Sequence, residues 1–236
     1  MSWKLHYFDT DPLLVDELAV EIGRVLQAAI AGRGQASLAV SGGSTPVALF
    51  RRLSEIDIDW AKVLITLVDE RWVDEDHPDS NARLVREKLL QNRAVYARFL
   101  GLKTDLPDPF SAEPDVHDRL SGLGLPLDAV VLGMGRDGHT ASFFAGARGI
   151  DKALDPRGVQ LCCAVEPEAA PHARMTLTLP VILAARHCYL HIVGQEKKQV
   201  LEQAITEGIE GELPVARVLH APGCCLQIYH AKSGEN

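Results

Sequence analysis

His139 stands inside Gly133-Met134-Gly135-Arg136-Asp137-Gly138-His139-Thr140-Ala141-Ser142, directly after the apolar run Ala129 to Leu132. An imidazole titrates near neutrality and flanking glycines let a substrate approach, so His139 is placed as a general base. A second apolar run, Val63 to Val68, leads into Asp69-Glu70-Arg71. Strand alternation would point Asp69 and Arg71 to one side, where a carboxylate can orient a water and a guanidinium can bind an anionic oxygen. A third run, Ser37 to Val40, ends in Ser41-Gly42-Gly43-Ser44-Thr45-Pro46. Gly42 and Gly43 let the backbone come close to a ligand, and Pro46 opens a helix whose first N–H groups attract a phosphate. The same turn reads equally well as a plain strand-to-helix connection capped by Ser44 or Thr45. Ser44 is a poor candidate for an esterase nucleophile, since G-x-S-x-G requires glycine where Pro46 stands. Arg174 heads the alternating segment to Pro180, and Lys197 follows the turn Gly194-Gln195-Glu196. Such cations are usually solvated, but their places at predicted strand ends make both candidates to neutralise a phosphate held on Ser41 to Thr45.

Two other chemistries compete. Gly133 to Gly138 fits the dinucleotide fingerprint G-x-G-x-x-G, and Asp155 lies about 20 residues beyond it. That fingerprint normally opens a helix of small residues in the first strand–helix–strand unit, whereas here His139, Phe143 and Phe144 follow. His77 lies among Asp74, Glu75, Asp76 and Asp79, but no second histidine or cysteine stands at ligand spacing. No metal and no organic cofactor is therefore expected, and the acidic loop reads as solvated.

The elements that must position these groups follow from periodicity. Leu14, Leu18, Ile22, Val25 and Ala29 repeat at three and four, predicting an amphipathic helix over 12–31 stopped by Gly32 and Gly34. Further helices are expected over 46–54, over 81–91 after the cap Ser80, and over 195–207. Between them lie the apolar runs already named, together with Val159 to Val165 and Tyr189 to Val193. Strands alternating with helices predict a three-layer α/β fold, a mostly parallel sheet with helices on both faces. Residues 101–127, with four prolines, read as an excursion within one domain spanning 1–236.

The chain has 236 residues and is 47% hydrophobic, which supplies a sizeable core. With 24 Lys and Arg against 32 Asp and Glu, the net charge of −8 repels polyphosphate backbones, so no nucleic-acid partner is expected. An anionic substrate must instead be held by local cations and N–H groups. No apolar run approaches the roughly 18 residues of a membrane helix, and Met1 to Thr10 lacks a signal peptide's pattern. A cytoplasmic protein, monomeric or a small homo-oligomer, is expected. Cys162–Cys163 and Cys224–Cys225 are adjacent pairs with Cys188 alone, a poor disulfide framework, so thiols buried in strands are predicted.

Taken in order, Ser-Gly-Gly-Ser-Thr-Pro at 41–46, Asp-Glu-Arg at 69–71 with Ser80-Asn81, Gly-Met-Gly-x-Asp-Gly-His-Thr-Ala-Ser at 133–142, Arg-x-Thr-x-Thr-x-Pro at 174–180 and Gly-x-x-Lys at 194–197 resemble the 6-phosphogluconolactonase family. The resemblance spans most of the chain. It implies a sugar-phosphate isomerase-like α/β fold and cofactor-free hydrolysis of 6-phosphoglucono-1,5-lactone to 6-phosphogluconate, the second step of the oxidative pentose phosphate pathway. By position His139 corresponds to the general base, Asp69 and Arg71 to polar active-site residues, and Ser44, Thr45, Arg174 and Lys197 to phosphate contacts. His139 would take a proton from the water attacking C1 and return it to the ring oxygen, with Asp69 orienting His139 or the water and Arg71 steadying the oxyanion. The sequence departs from the family at Phe143-Phe144-Ala145-Gly146, at Arg136 and at Tyr229-His230-Ala231-Lys232. Glucosamine-6-phosphate deaminase is the alternative enzyme, but it continues from its histidine to a glutamate, whereas here no carboxylate follows until Asp151. A non-catalytic sugar-phosphate sensor is the other alternative.

Overall fold

The computed structural model describes residues 3–223 and 225–232. In chain order it runs β1 (Trp3–Phe8), α1 (Asp11–Arg33), β2 (Ala36–Val40), α2 (Pro46–Ser54), β3 (Val63–Leu67), β4 (Asp69–Arg71), α3 (Asn81–Lys88), β5 (Arg98–Leu100) and α4 (Pro109–Ser121). It continues β6 (Ala129–Leu132), α5 (Ile150–Leu154), β7 (Cys162–Val165), β8 (Arg174–Leu177), α6 (Leu179–Ala184), β9 (His187–Val193), α7 (Gln195–Glu207), α8 (Ala216–Leu219) and β10 (Leu226–Ala231). Seven strands form one sheet in the order β1-β10-β9-β6-β2-β3-β5, every neighbouring pair parallel. All residues of β2 and β6 are buried, which is why these strands read as unbroken apolar runs.

α1 shows how packing outweighs local preference. The predicted stripe Leu14, Leu18, Ile22, Val25 and Ala29 is buried throughout. Gly23 in its interior costs about 1 kcal/mol against alanine, yet a Cβ there would stand 2.7 Å from Ile56 Cγ2. Close approach of the neighbouring segment therefore fixes the glycine. Gly32 does not stop the helix; Gly34 does, in a left-handed conformation with its N–H on the Ile30 carbonyl at 2.8 Å.

Parallel pairing carries the functional consequence, because it delivers the loops after β2, β6 and β9 to one carboxyl edge. β2 is flanked by β3 on one side and β6 on the other. The connections reverse direction there, at the place where open α/β sheets bind ligands.

The structure differs from the sequence expectations in several further places. The run Val63 to Val68 does not end in a loop: after Val68 the chain enters β4, which joins a separate antiparallel sheet, β4-β8-β7. The alternating segment from Arg174 stops at Leu177, with all four β8 residues buried, and Pro180 sits in the first turn of α6. The excursion 101–127 contains α4, which forms despite Pro114 because Asp108 caps it and Ala112, Val116 and Leu120 bury one face. Val159 is 81% exposed, so strand β7 begins only at Cys162. Cys162 and Cys163 are buried in β7, where burial pushes both thiols up to about 12, and Cys188 is buried in β9. Cys225 is exposed, contrary to expectation, and Cys224 lies outside the described residues. No helix among the described residues is long and apolar enough to cross a membrane.

Candidate active site

The turn after β2 owes its two glycines to different causes. Gly43 adopts φ +93, a left-handed conformation open mainly to glycine. Gly42 is glycine because of a neighbour: a Cβ would fall 1.8 Å from Asn81 Oδ1. Thr45 already has helical angles, Pro46 follows in the first turn of α2, and neither Ser44 nor Thr45 caps the helix through its side chain. The Thr45 hydroxyl instead accepts a hydrogen bond from Lys197 Nζ at 3.1 Å, joining the start of α2 to that of α7. Burial, and after it the charge of Arg136, lowers the Lys197 pKa from the usual lysine range.

β4 supplies the opposite wall. Its antiparallel register sets Asp69 against Thr176 and Arg71 against Arg174. The buried Asp69 carboxylate accepts the Ser142 hydroxyl at 2.6 Å and faces Arg174 Nη1 at 3.7 Å. Arg174 is 6% exposed, and desolvation holds its pKa below the usual guanidinium range while Asp69 opposes that shift. Arg71 Nη1 donates to the Asp79 carbonyl at 2.7 Å. The Nε atoms of both arginines are buried without a protein partner. Between them Glu70 points away into the protein, accepting from the N–H groups of Arg71, Asn81 and Ala82 and from the Ser80 hydroxyl. Desolvation raises its pKa against the opposing pull of those backbone bonds. Glu70 thereby fixes the first turn of α3, from which Asn81 Nδ2 reaches the Asp69 carbonyl at 2.8 Å.

The turn after β6 does not open a helix, so the dinucleotide reading has no helix N-terminus to hold a pyrophosphate; α5 begins only at Ile150. The turn folds back, with the Gly135 N–H on the His139 carbonyl at 2.9 Å and the Thr140 hydroxyl on the Gly133 carbonyl at 2.8 Å. This sets His139 Nδ1 2.5 Å from Asp137 Oδ1. The hydrogen bond from His139 is the chief cause of a lowered Asp137 pKa. The His139 ring stacks on Phe144, centroids 4.2 Å apart, and the Arg174 guanidinium lies 4.9 Å from the same phenyl ring.

These loops enclose a cavity of about 200 Å³. Every residue assigned to catalysis or phosphate binding from the sequence lines it: Gly42, Gly43, Ser44 and Thr45 from the first turn, Asp69 and Arg71 from β4, His139 from the third turn, with Arg174 and Lys197. Of the two roles expected for Asp69, orienting His139 or the water, the contact to His139 is made by Asp137 instead, since Asp69 is engaged by Ser142 and Arg174. Sequence reasoning missed Asp137, although it stands two residues from the histidine. It also missed Asn81 and His191 as cavity-lining residues. His191 is 2% exposed, its ring nitrogens have no hydrogen-bond partner, and Asp11 Oδ1 lies 3.6 Å from Nε2. A polar residue interrupting the run Tyr189 to Val193 was its signal.

Residues 9–226 match the family model described as glucosamine-6-phosphate isomerases/6-phosphogluconolactonase. The chain is 46% identical over 231 residues to a 6-phosphogluconolactonase of Rhizobium meliloti, covering 98% of this chain and all of that protein. It is 44% identical to a 6-phosphogluconolactonase of Pseudomonas aeruginosa over 87% of this chain and 86% of that one. Among solved structures, a 6-phosphogluconolactonase from Shewanella baltica superposes with a TM-score of 0.93 at 44% identity, covering 96% of this chain and 97% of that chain. A monomeric glucosamine-6-phosphate deaminase, at 17% identity and a TM-score of 0.72, shares the fold. The three-layer α/β architecture, the ordered loops and these matches agree: the chain belongs to the glucosamine-6-phosphate isomerase/6-phosphogluconolactonase family.

Proposed function

We propose that the chain hydrolyses 6-phosphoglucono-1,5-lactone to 6-phosphogluconate, the second step of the oxidative pentose phosphate pathway, with His139 as the base. The observation that carries this reading is the cavity itself, which His139 lines together with a surplus of positive charge. Arg71, Arg174 and Lys197 line it against the Asp69 carboxylate in a protein whose net charge is −8. That surplus suits a substrate with a remote dianion, and the backbone of Gly42 to Thr45 with the start of α2 adds N–H donors.

Asp137 holds His139 Nδ1, which leaves Nε2 to take a proton from water as it attacks the lactone carbonyl and to return it to the leaving ring oxygen. The aspartate steadies the imidazolium formed between these two transfers. In this reading Arg71 stabilises the tetrahedral oxyanion, while Arg174, Lys197 and the 41–45 turn hold the phosphate and so fix the ring. Phe144 covers one face of the imidazole where the deaminase pattern would need a carboxylate relay, which favours hydrolysis over ring-opening deamination. The test is a coupled assay in which glucose-6-phosphate dehydrogenase generates the lactone in place. Consumption above the spontaneous rate that disappears in His139→Ala supports the reading. Release of ammonia from glucosamine 6-phosphate, without lactone turnover, overturns it.

A further inference from the structure

The sequence places no second histidine or cysteine at ligand spacing from His77. The fold supplies one. His172, at the end of the segment before β8, places Nε2 3.0 Å from Asp79 Oδ2, and the rings of His77 and His172 meet edge to face with centroids 5.4 Å apart. His77 Nδ1 accepts the Asp79 backbone N–H at 3.1 Å and stands 3.9 Å from the same carboxylate oxygen, so a bound ion would take the place of that backbone bond or use Nε2. One donor atom from each of the three residues lies within 4.8 Å of the others. Two ligands on one tetrahedral zinc stand about 3.3 Å apart, so the widest pair must close by about 1.5 Å. The three side chains are partly exposed, at 42%, 49% and 29% for His77, Asp79 and His172, and have room to do so.

The electrostatics suit a cation. Asp74, Glu75 and Asp76 precede His77 on the same loop. Arg86 pairs with Glu75 and Arg83 bonds the Asp76 carbonyl, while Arg71 bonds the Asp79 backbone carbonyl and leaves the Asp79 carboxylate to the histidines. His172 is held at φ +67, a conformation that costs a non-glycine residue of order 1–3 kcal/mol and recurs at ligand clamps.

We propose that His77, Asp79 and His172 form a divalent-cation site of two imidazoles and one carboxylate, suited to Zn²⁺, that clasps the 72–80 loop to the segment before β8. Imidazole donors select zinc and its first-row neighbours over Mg²⁺ or Ca²⁺, and three protein ligands leave a position for water. The clasp lies beside both cavity arginines. The Asp79 carbonyl accepts from Arg71, and the carbonyl of Pro171, next to His172, lies 3.5 Å from Arg174 Nη2. A bound ion would therefore stiffen two anchors of the cavity at once, without touching His139.

The binding claim is independent of the catalytic reading, and so is its test. Co²⁺ is titrated into the wild-type protein and into His77→Gln/His172→Gln, the visible ligand-field bands reporting coordination and calorimetry the stoichiometry. The double variant retains His139, Asp137 and the exposed Cys225, so ions bound there subtract out, and its circular dichroism spectrum serves as the check on folding. The expected result is one Co²⁺ equivalent in the wild type that is displaced by Zn²⁺, with affinity about tenfold or more weaker in the double variant. Zn²⁺ should also raise the wild-type Tm and leave that of the variant unmoved. Equal stoichiometry and affinity in the two proteins, or a wild-type spectrum no different from hydrated Co²⁺, overturns the site.

Discussion

Asp137 Oδ1 lies 2.5 Å from His139 Nδ1, so the carboxylate that orients the imidazole comes from the same turn. The pair has the logic of a base held in one tautomer by a neighbouring anion, with Nε2 left for the substrate. Removing the base should lower kcat/KM by about 10²–10⁴-fold, the usual worth of positioned proton transfer. Asp137→Asn should lower kcat by a smaller factor with KM nearly unchanged, because the amide cannot stabilise the imidazolium but touches no phosphate. The measurement is the initial rate on freshly generated lactone, corrected for spontaneous opening. Wild-type kcat in Asp137→Asn would sink the pair.

Lys197 predicts the alkaline limit of binding. Its pKa is lowered first by burial and then by Arg136. A lysine is cationic below its pKa, so the charge is lost as pH rises through a value below the ordinary one of about 10.4. Affinity for the product 6-phosphogluconate should therefore begin to fall at a lower pH than a solvated lysine would allow. Lys197→Met should bind about tenfold or more weakly, the loss expected for one charge-assisted bond, and show no such fall. Lys197→Arg should hold the phosphate across the range, since guanidinium does not titrate there. Calorimetric titration at several pH values reads all three.

Glu70 predicts a stability effect larger than its distance from the chemistry suggests. Its Oε1 accepts from Arg71 N and Asn81 N, and its Oε2 from Ala82 N and Ser80 Oγ. Glu70→Gln turns one oxygen into a donor facing two donors, and each buried group left unpaired costs about 1–3 kcal/mol. Urea unfolding should show a loss of at least about 2 kcal/mol. Because Asn81 is held by the same carboxylate, KM should rise in the folded fraction as well.

Much of this was legible where a local rule had no competitor. α2 and α7 occupy the predicted 46–54 and 195–207 because Pro46 and the turn at Gly194 set their starts, and β6 matches its apolar run residue for residue. The break between β3 and β4 was not legible: Val68 is as apolar as its predecessors, and only pairing with β8, far along the chain, draws Asp69 out of the main sheet. The same distance hid the partner of His77, since Asp79 and His172 are 93 positions apart. The meeting of the 41–45 turn, the His139 turn and Lys197 was legible because the parallel strands β2, β6 and β9 must deliver their loops to one edge, whereas Asp69, Arg71 and Arg174 reach the cavity from the antiparallel sheet. Which carboxylate faces His139 was not, because Asp69 and Asp137 both arrive there and only the backbone of the third turn decides between them.

That backbone yields the sharpest test. A Cβ on Gly135 would stand 2.3 Å from His139 Nδ1 and 2.4 Å from Asp137 Oδ1, while one on Gly42 would stand 1.8 Å from Asn81 Oδ1. In each case the obstacle is a side chain that can rotate, so the fold should survive and the local contact should not. Gly135→Ala should therefore lose kcat while binding 6-phosphogluconate close to normally, because the alanine methyl displaces the base and leaves the phosphate end intact. Gly42→Ala should do the reverse, weakening 6-phosphogluconate binding and raising KM by displacing Asn81 beside the 41–45 turn. Paired kinetics and product titration on the two variants separate the chemical and phosphate ends of the cavity. If both variants lost binding equally, the division of labour between the two turns would be wrong.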